Sequence, residues 1–488
     1  MQEFDALQKV LASLAANRAS TEVGQLREVQ HALEILSGLD LRAPQRLKIL
    51  ELFILRVRRF QDLLTSDLLA ATLPLPTTTR QQADLLIHTF GLLAQGLIAV
   101  VATAAGSLQK YQRNPAHVLW QAMQCWHTQL QTSALIGTTP PGDLWRHVFG
   151  ALQSDDSEET NFRLGNELGR MLALSVAQTE SHTPREISLL IDYLQSFAPP
   201  IAWQGTEEGP SKQTAYWLAP TSGQPPNAVA RRRPLARDSD IVYFDCTALA
   251  RQARDHLDQL NQGTPPATVG LPTALAAEDY RHVLACAASR WAEPGKRQHG
   301  RRASNYRVEV CAHSGALWRL LSADSLAVAM DHPQTTSNWL VINEGPEGYA
   351  MLHVTGPCPG LRAGTVLGMR HAETDAWHLC LVRWAKSDNP EHVELGLELL
   401  APAARAVRLA SRGSATPVPA LLLPALPTLR RGETLLTARG QLNPGAFTLL
   451  AEDLSGIRLF DCATGNLTLR TSSIEVFEFT RESQPDIA

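Results

Sequence analysis

Lys296-Arg297-Gln298-His299-Gly300-Arg301-Arg302-Ala303-Ser304-Asn305-Tyr306-Arg307-Val308-Glu309-Val310-Cys311-Ala312 joins a cationic segment to a strand-like alternation. From Tyr306 onward apolar residues recur at every second position, the period of a strand with one buried face. About forty residues on, Asn343-Glu344-Gly345-Pro346-Glu347-Gly348 lies between two further strand-like runs. Arginine presents a planar fork of donors that suits phosphate, and its flat face stacks on aromatic bases. Arg297 and Arg301, four residues apart in a bending segment, can converge on one phosphate, or on a phosphate and a guanine edge. The glycines of the second stretch permit close backbone approach and positive φ, and Asn343 offers both a donor and an acceptor. Taken singly, the cluster reads as an exposed linker and the loop as a plain hairpin turn. Their order at the start of a run of strands predicts a site for a small dianion carrying flat bases, which points to a nucleotide sensor and not an enzyme.

Working outward, short strands follow at Trp339–Asn343, Tyr349–Val354, Gly364–Met369, Trp377–Trp384 and Val393–Leu400, separated by Gly, Pro, Asp or Asn turns. This spacing predicts a small barrel, with Ala401–Leu409 as a closing helix. A break at Ser411–Pro417 precedes a second strand-rich stretch, with strands at Leu421–Leu423, Thr434–Thr437, Phe447–Leu450, Ile457–Phe460, Leu467–Arg470 and Ile474–Phe479. Upstream, residues 1–200 read as helix. Leu47, Leu50, Phe53, Ile54, Val57 and Phe60 mark one apolar face, and Leu119, Met123, Trp126 and Leu130 another. Helices are also expected over Ser157–Gln178 and Thr183–Phe197, the latter opened by Thr183-Pro184-Arg185-Glu186, a cap with proline in the first turn. No fixed repeat period is present. Residues 200–235 are rich in Pro, Gly, Ser and Thr and read as linker, with Arg231-Arg232-Arg233 as a solvated charge run. A strand at Ile241–Phe244 and helices over Thr247–Gln262 and Leu271–Trp291 complete the middle.

Bulk properties narrow the function classes. A chain of 488 residues exceeds one ordinary core, and 44% hydrophobic against 19% charged residues fits a folded protein. The formal net charge of −4 argues against a grip on long nucleic acid, so any basic site is local. The seven cysteines (Cys125, Cys246, Cys286, Cys311, Cys358, Cys380 and Cys462) are dispersed, without CxxC or metal-ligand spacing. That usage suits a reducing cytoplasm and predicts no metal site. The opening MQEFDALQKVLASL is polar and amphipathic, unlike a signal peptide. Leu85–Gln109 lacks Asp, Glu, Lys and Arg and is long enough to span a bilayer, but its polar interruptions and three glycines favour a buried core helix. Walker A, HExxH and GxSxG motifs are absent, and the acids Asp155, Asp156, Glu158, Glu159, Glu373 and Asp375 read as surface charges.

The two key stretches resemble the PilZ domain family, cytoplasmic receptors for the bacterial second messenger cyclic di-GMP. The family's signature is RxxxR entering a six-stranded antiparallel barrel, followed by [D/N]xSxxG. Arg297 and Arg301 fit the first element by spacing, while Arg302 and Arg307 fit it by position beside the first strand. Asn343 and Gly348 fit the second, with Gly345 where serine is usual. Trp377-His-Leu-Cys-Leu-Val-Arg-Trp384 and Glu394-Leu-Gly-Leu-Glu398 are similar to the later barrel strands, so the resemblance covers about residues 295–410. It implies that the arginines contact phosphates and guanine edges while the Asn–Gly loop surrounds one guanine. It also implies that folding of the arginine segment over the barrel reorients flanking domains, in the service of motility, surface attachment or biofilm control.

The resulting expectation is a multidomain α+β protein. It has a helical domain (1–200), a linker and small α/β segment (201–290), a PilZ-like six-stranded antiparallel β-barrel (291–410) and a C-terminal small β-domain (411–488). The candidate ligand residues are Arg297, Arg301, Arg302, Arg307, Asn343, Gly345 and Gly348, with cyclic di-GMP as ligand, no cofactor, no catalytic residue and no metal. A protein partner is expected on the helical half, with no membrane insertion and no nucleic acid. Two alternatives stand beside this one: a PilZ-like scaffold that no longer binds nucleotide, and a DNA-binding regulator using Arg231–Arg233 and the helices after them.

Overall fold

The computed structural model describes the chain except residues 1, 16–20, 111–113, 153–157, 200, 202, 205–214, 231–240, 273–275, 294–299, 323–335, 359, 372, 375, 390–391, 412–415, 428–430, 454–455 and 482–488. Two compact units are present, Met1–Ala71 with Leu75–Arg297, and Thr72–Pro74 with Gln298–Ala488.

The first unit holds helices α1 (Gln2–Ala15), α2 (Glu22–Gly38), α3 (Ala43–Leu68), α4 (Thr77–Lys110), α5 (Pro115–Leu135), α6 (Leu144–Leu152), α7 (Glu158–Val176) and α8 (Pro184–Phe197). Four short strands follow, β1 (Trp203–Gln204), β2 (Tyr216–Leu218), β3 (Asn227–Ala228) and β4 (Val242–Phe244), in the sheet order β1-β4-β2-β3, and then α9 (Thr247–Asn261) and α10 (Ala277–Ala292). On α3, Leu47, Leu50, Phe53, Ile54 and Val57 are buried, as their spacing predicts, while Phe60 is only partly covered. Thr183 caps α8 reciprocally: its hydroxyl accepts from the Glu186 N–H at 3.3 Å, and its own N–H donates to Glu186 Oε2 at 2.7 Å. Helix α4 is long and apolar enough to cross a bilayer over Thr77–Thr103. Its residues Leu86, Phe90, Leu93, Ala94, Leu97 and Val100 belong to the continuous buried core of this unit. The same core takes in Leu218 and Phe244 of the small sheet and Leu249, Leu284 and Trp291 of the last two helices. The Trp291 indole N–H donates to the Ala173 carbonyl at 3.0 Å, which ties α10 to α7. A 3-10 turn at Pro266–Val269 follows α9, and helix α10 starts at Ala277, six residues after the start that the sequence suggests. Arg231–Arg233 lie outside the described residues.

The second unit is built from strands β5 (Arg302–Ala312), β6 (Thr336–Gly345), β7 (Gly348–Thr355), β8 (Val366–His371), β9 (Trp377–Lys386) and β10 (Glu394–Ala401), with helix α11 (Ser314–Leu321) after β5. Strands β11 (Arg405–Ser411), β12 (Val418–Leu423), β13 (Thr434–Ala438), β14 (Ala446–Asp453), β15 (Gly456–Arg470) and β16 (Ile474–Arg481) complete it. The first six close an antiparallel barrel in the order β10-β7-β6-β5-β8-β9, and the second six close another in the order β11-β12-β13-β16-β15-β14. The fold is thus a helical N-terminal region followed by two six-stranded antiparallel barrels.

Two sequence expectations are corrected here. Ala401–Leu409 forms no closing helix: Arg405–Ser411 is a strand of the second barrel, paired with β12 and β14. Its alanines favour helix locally, but burial of Val407 and Leu409 on alternate positions overrides that preference. The runs Ile457–Phe460 and Leu467–Arg470 belong to one strand, β15, which shifts register against β16 between Thr464 and Leu467 and again between Leu467 and Leu469. Helix α11 has no counterpart in the sequence reading.

Candidate functional site

Strands β5 and β6 bring the two key stretches together. Their ladder pairs Arg302 with Glu344 and Ala303 with Asn343, then breaks, resuming at Tyr306 with Val341. The chain immediately before β5 therefore runs beside the β6–β7 hairpin. Arg301 Nη1 donates to Asn343 Oδ1 at 3.2 Å, linking the arginine segment to the hairpin through side chains. A Cβ on Gly345 would lie 3.4 Å from the Gly300 carbonyl and 3.7 Å from Arg301 Cγ, so the hairpin and the segment are in contact distance there.

The hairpin is tight. Gly345 pairs with Gly348, leaving only Pro346 and Glu347 in the turn, and none of these four residues has positive φ. Proline fixes φ near −65°, which excludes the primed turns that most two-residue hairpins use. The turn is held from outside instead, where the Leu399 N–H donates to the Glu347 carbonyl at 2.9 Å. Gly348 is demanded by packing: a Cβ on it would sit 1.8 Å from the Leu397 carbonyl oxygen. The two glycines of the hairpin therefore do different things. Gly345 borders the arginine segment, whereas Gly348 lets β7 approach β10.

Of the sequence-predicted residues, the structure gathers Arg301, Arg302, Asn343 and Gly345 at one end of the β5–β6 ladder. Gly348 lies just beyond, at the exit of the turn. Arg307 stands past the ladder break, opposite Leu340, up to ~16 Å further along the strand at about 3.3 Å per residue. Arg297 lies outside the described residues.

Two other cations on this barrel, Arg370 and Arg383, are committed. Arg370 Nε donates to Glu309 Oε2 at 3.1 Å, and its guanidinium lies 4.8 Å from the centre of the Trp377 ring. Burial would raise the Glu309 carboxyl, but hydrogen bonds from Thr336 and Arg370 outweigh it and hold the group below its ordinary value. Arg383 pairs with Glu398 at 2.5 Å. Arg302 and Arg307, both exposed, make no ion pair or side-chain hydrogen bond among the described residues.

Two neighbours escaped the sequence reading. The Tyr306 hydroxyl donates to Glu344 Oε2 at 2.7 Å, and the Tyr306 ring stacks on His371 with centroids 5.2 Å apart. Burial, and then the hydrogen bond and charge of Glu344, push the Tyr306 hydroxyl well above its ordinary pKa, so it stays a donor. These residues are 38 positions apart, and their bond follows from register, which the sequence does not print.

Comparison with known proteins matches two stretches of the chain. Residues 5–208 match the family model of the N-terminal domain of the cyclic-di-GMP receptor FimW, and residues 322–406 match that of its middle PilZ domain. The second match contains the Asn343–Gly348 hairpin and begins after β5, so the arginine segment lies outside it. The Pseudomonas aeruginosa protein named cyclic-di-GMP receptor FimW is 29% identical over 110 residues, which is 22% of this chain and 18% of that protein.

Proposed function

This chain is a FimW-like member of the PilZ domain family, and we propose that it is a cytoplasmic receptor for cyclic di-GMP whose output is altered contact with a protein partner. The observation that carries this reading is the Arg301–Asn343 bond, which places a cationic segment and the hairpin asparagine side by side. Arg301 and Arg302 supply charge and bidentate donors for phosphate oxygens or a guanine edge. Asn343 supplies a donor and an acceptor for a base or ribose. The chain passes between the two compact units at Ala71–Thr72, at Pro74–Leu75 and at Arg297–Gln298, the last within the arginine cluster. A ligand held by Arg301 and Arg302 therefore sits a few residues along the chain from one of these passages. Partner contact is assigned to the helical unit, where Leu52, Leu55 and Leu63 of α3 remain 45%, 62% and 55% exposed. Motility, surface attachment or biofilm control are the outputs consistent with the family. The matched families describe a receptor, and no step of this reading calls for catalysis.

The test is calorimetric titration of cyclic di-GMP into the full chain and an Arg301→Ala, Arg302→Ala variant. Charge-assisted hydrogen bonds contribute about 1.5–3 kcal/mol each. Loss of both arginines should therefore weaken micromolar binding by about 100-fold or more. Absence of heat and of thermal stabilisation with the unaltered chain would overturn the receptor reading. It would leave the second reading, a barrel kept as a scaffold, which Gly345 favours because it lacks the hydroxyl that the family motif places there.

A further inference from the structure

We infer that Tyr306 is a positioning residue that draws the Glu344 carboxylate away from Arg302 and so keeps that guanidinium available for a ligand phosphate. The inference rests on the receptor reading above. Arg302 and Glu344 are direct partners on neighbouring antiparallel strands. Residues so placed have Cβ atoms about 5 Å apart and point to the same face, where opposite charges attract. An Arg–Glu pair is the expected outcome, yet among the described residues Arg302 makes no ion pair. The carboxylate is bonded instead to the Tyr306 hydroxyl at 2.7 Å.

The local backbone explains how this is possible. The ladder between β5 and β6 skips from Ala303–Asn343 to Tyr306–Val341, so Ser304 and Asn305 form a bulge. A bulge bends its strand and re-aims the side chains on either side of it. Here it sets the Tyr306 hydroxyl against Glu344, across the gap in the backbone ladder. Stacking on His371 at 5.2 Å fixes the tyrosine ring, and the raised pKa of its hydroxyl keeps the proton on the donor. Arg302 is thereby left without its natural intramolecular competitor for phosphate.

The proposal separates a competitive role from a merely structural one. Tyr306→Phe keeps the ring and its stacking but releases the carboxylate to Arg302. Cyclic di-GMP affinity should fall about five-fold, which is about 1 kcal/mol at 1.4 kcal/mol per decade. Glu344→Gln should bind within about two-fold of the unaltered chain, and the double variant Tyr306→Phe, Glu344→Gln should regain that affinity, because the competing charge is gone. A double variant as weak as Tyr306→Phe alone would overturn the inference and make the bond a simple brace of the hairpin. Unchanged affinity in Tyr306→Phe would also overturn it. Thermal melts of all four proteins report folding independently. Titration of the unaltered chain reports the receptor reading separately: no binding there removes both conclusions, whereas binding without the rescue pattern removes only this one.

Discussion

Gly348→Ala tests whether the last glycine of the hairpin serves the ligand or the fold. The added Cβ would lie 1.8 Å from the Leu397 carbonyl oxygen, 2.8 Å from its carbon and 3.1 Å from Glu398 Cα. All three atoms are backbone, so no rotamer change relieves the clash. Strands β7 and β10 must part by at least about 1.2 Å to restore a 3.0 Å contact. Overpacking of this kind costs about 1–3 kcal/mol. The displacement also strains the Leu399 N–H to Glu347 carbonyl bond, 2.9 Å long, whose loss costs about 1 kcal/mol. A total of about 3 kcal/mol should lower the melting temperature of a unit of this size by about 6–12 °C. Circular dichroism melts without ligand measure the effect directly. Hydrogen exchange should show the loss of protection starting at β7 and β10. A variant that melts within about 2 °C of the unaltered chain, yet has lost nucleotide binding, would refute the reasoning and return Gly348 to the ligand.

Gly345 predicts the opposite. A Cβ at this position would meet its neighbours at ordinary distances, and the residue's φ is not positive, so Gly345→Ser should leave the melting temperature within about 2 °C. If the restored hydroxyl reaches the ligand, one hydrogen bond of about 0.5–1.5 kcal/mol should tighten cyclic di-GMP binding about two- to ten-fold in calorimetry. Leu317→Ala, in a fully buried position of α11, should cost about 2–5 kcal/mol and reduce exchange protection in β8–β9 and in β12–β13 together. Loss confined to one barrel would show that the barrels open independently.

Much of the first barrel was legible because its strands obey period two and are separated by turn residues. The hairpin was legible for the same reason, and Asn343 and Arg301 stood out as candidates because their residue types suit phosphate and guanine. What the sequence hid are the consequences of register. Tyr306 and Glu344 meet across strands, and the bulge that aims them consists of Ser304 and Asn305, which carry no signal of their own. Gly348 looked like a turn glycine, whereas its requirement comes from Leu397, 49 residues later, on a strand that only barrel closure brings near. The closing helix failed on local propensity, since Ala403, Ala404 and Ala406 favour helix until β12 and β14 supply partners.

One further signal was present in the strands. In Trp377-His-Leu-Cys-Leu-Val382 the run is apolar at almost every position, and all but His378 are buried. A barrel strand with one face in water alternates, so a strand buried on both faces must be covered from outside. Cys380 and Val382 alternate with Trp377, Leu379 and Leu381, and the latter three share a core with Leu317 of α11 and with Leu421, Leu423, Leu436, Ile474 and Val476 of the second barrel. The Trp318 indole N–H donates to the Val407 carbonyl at 2.8 Å, and the Thr471 hydroxyl donates to the Gly364 carbonyl at 2.7 Å. Burial of several large side chains at about 1.5–3 kcal/mol each makes sliding of one barrel on the other costly. A ligand can shift an equilibrium only by its differential affinity for two states, so sliding the barrels would draw that whole cost from the ligand. On the receptor reading, the response to cyclic di-GMP therefore starts at Arg301, Arg302 and the Asn343–Gly348 hairpin, and not at the seam between the barrels.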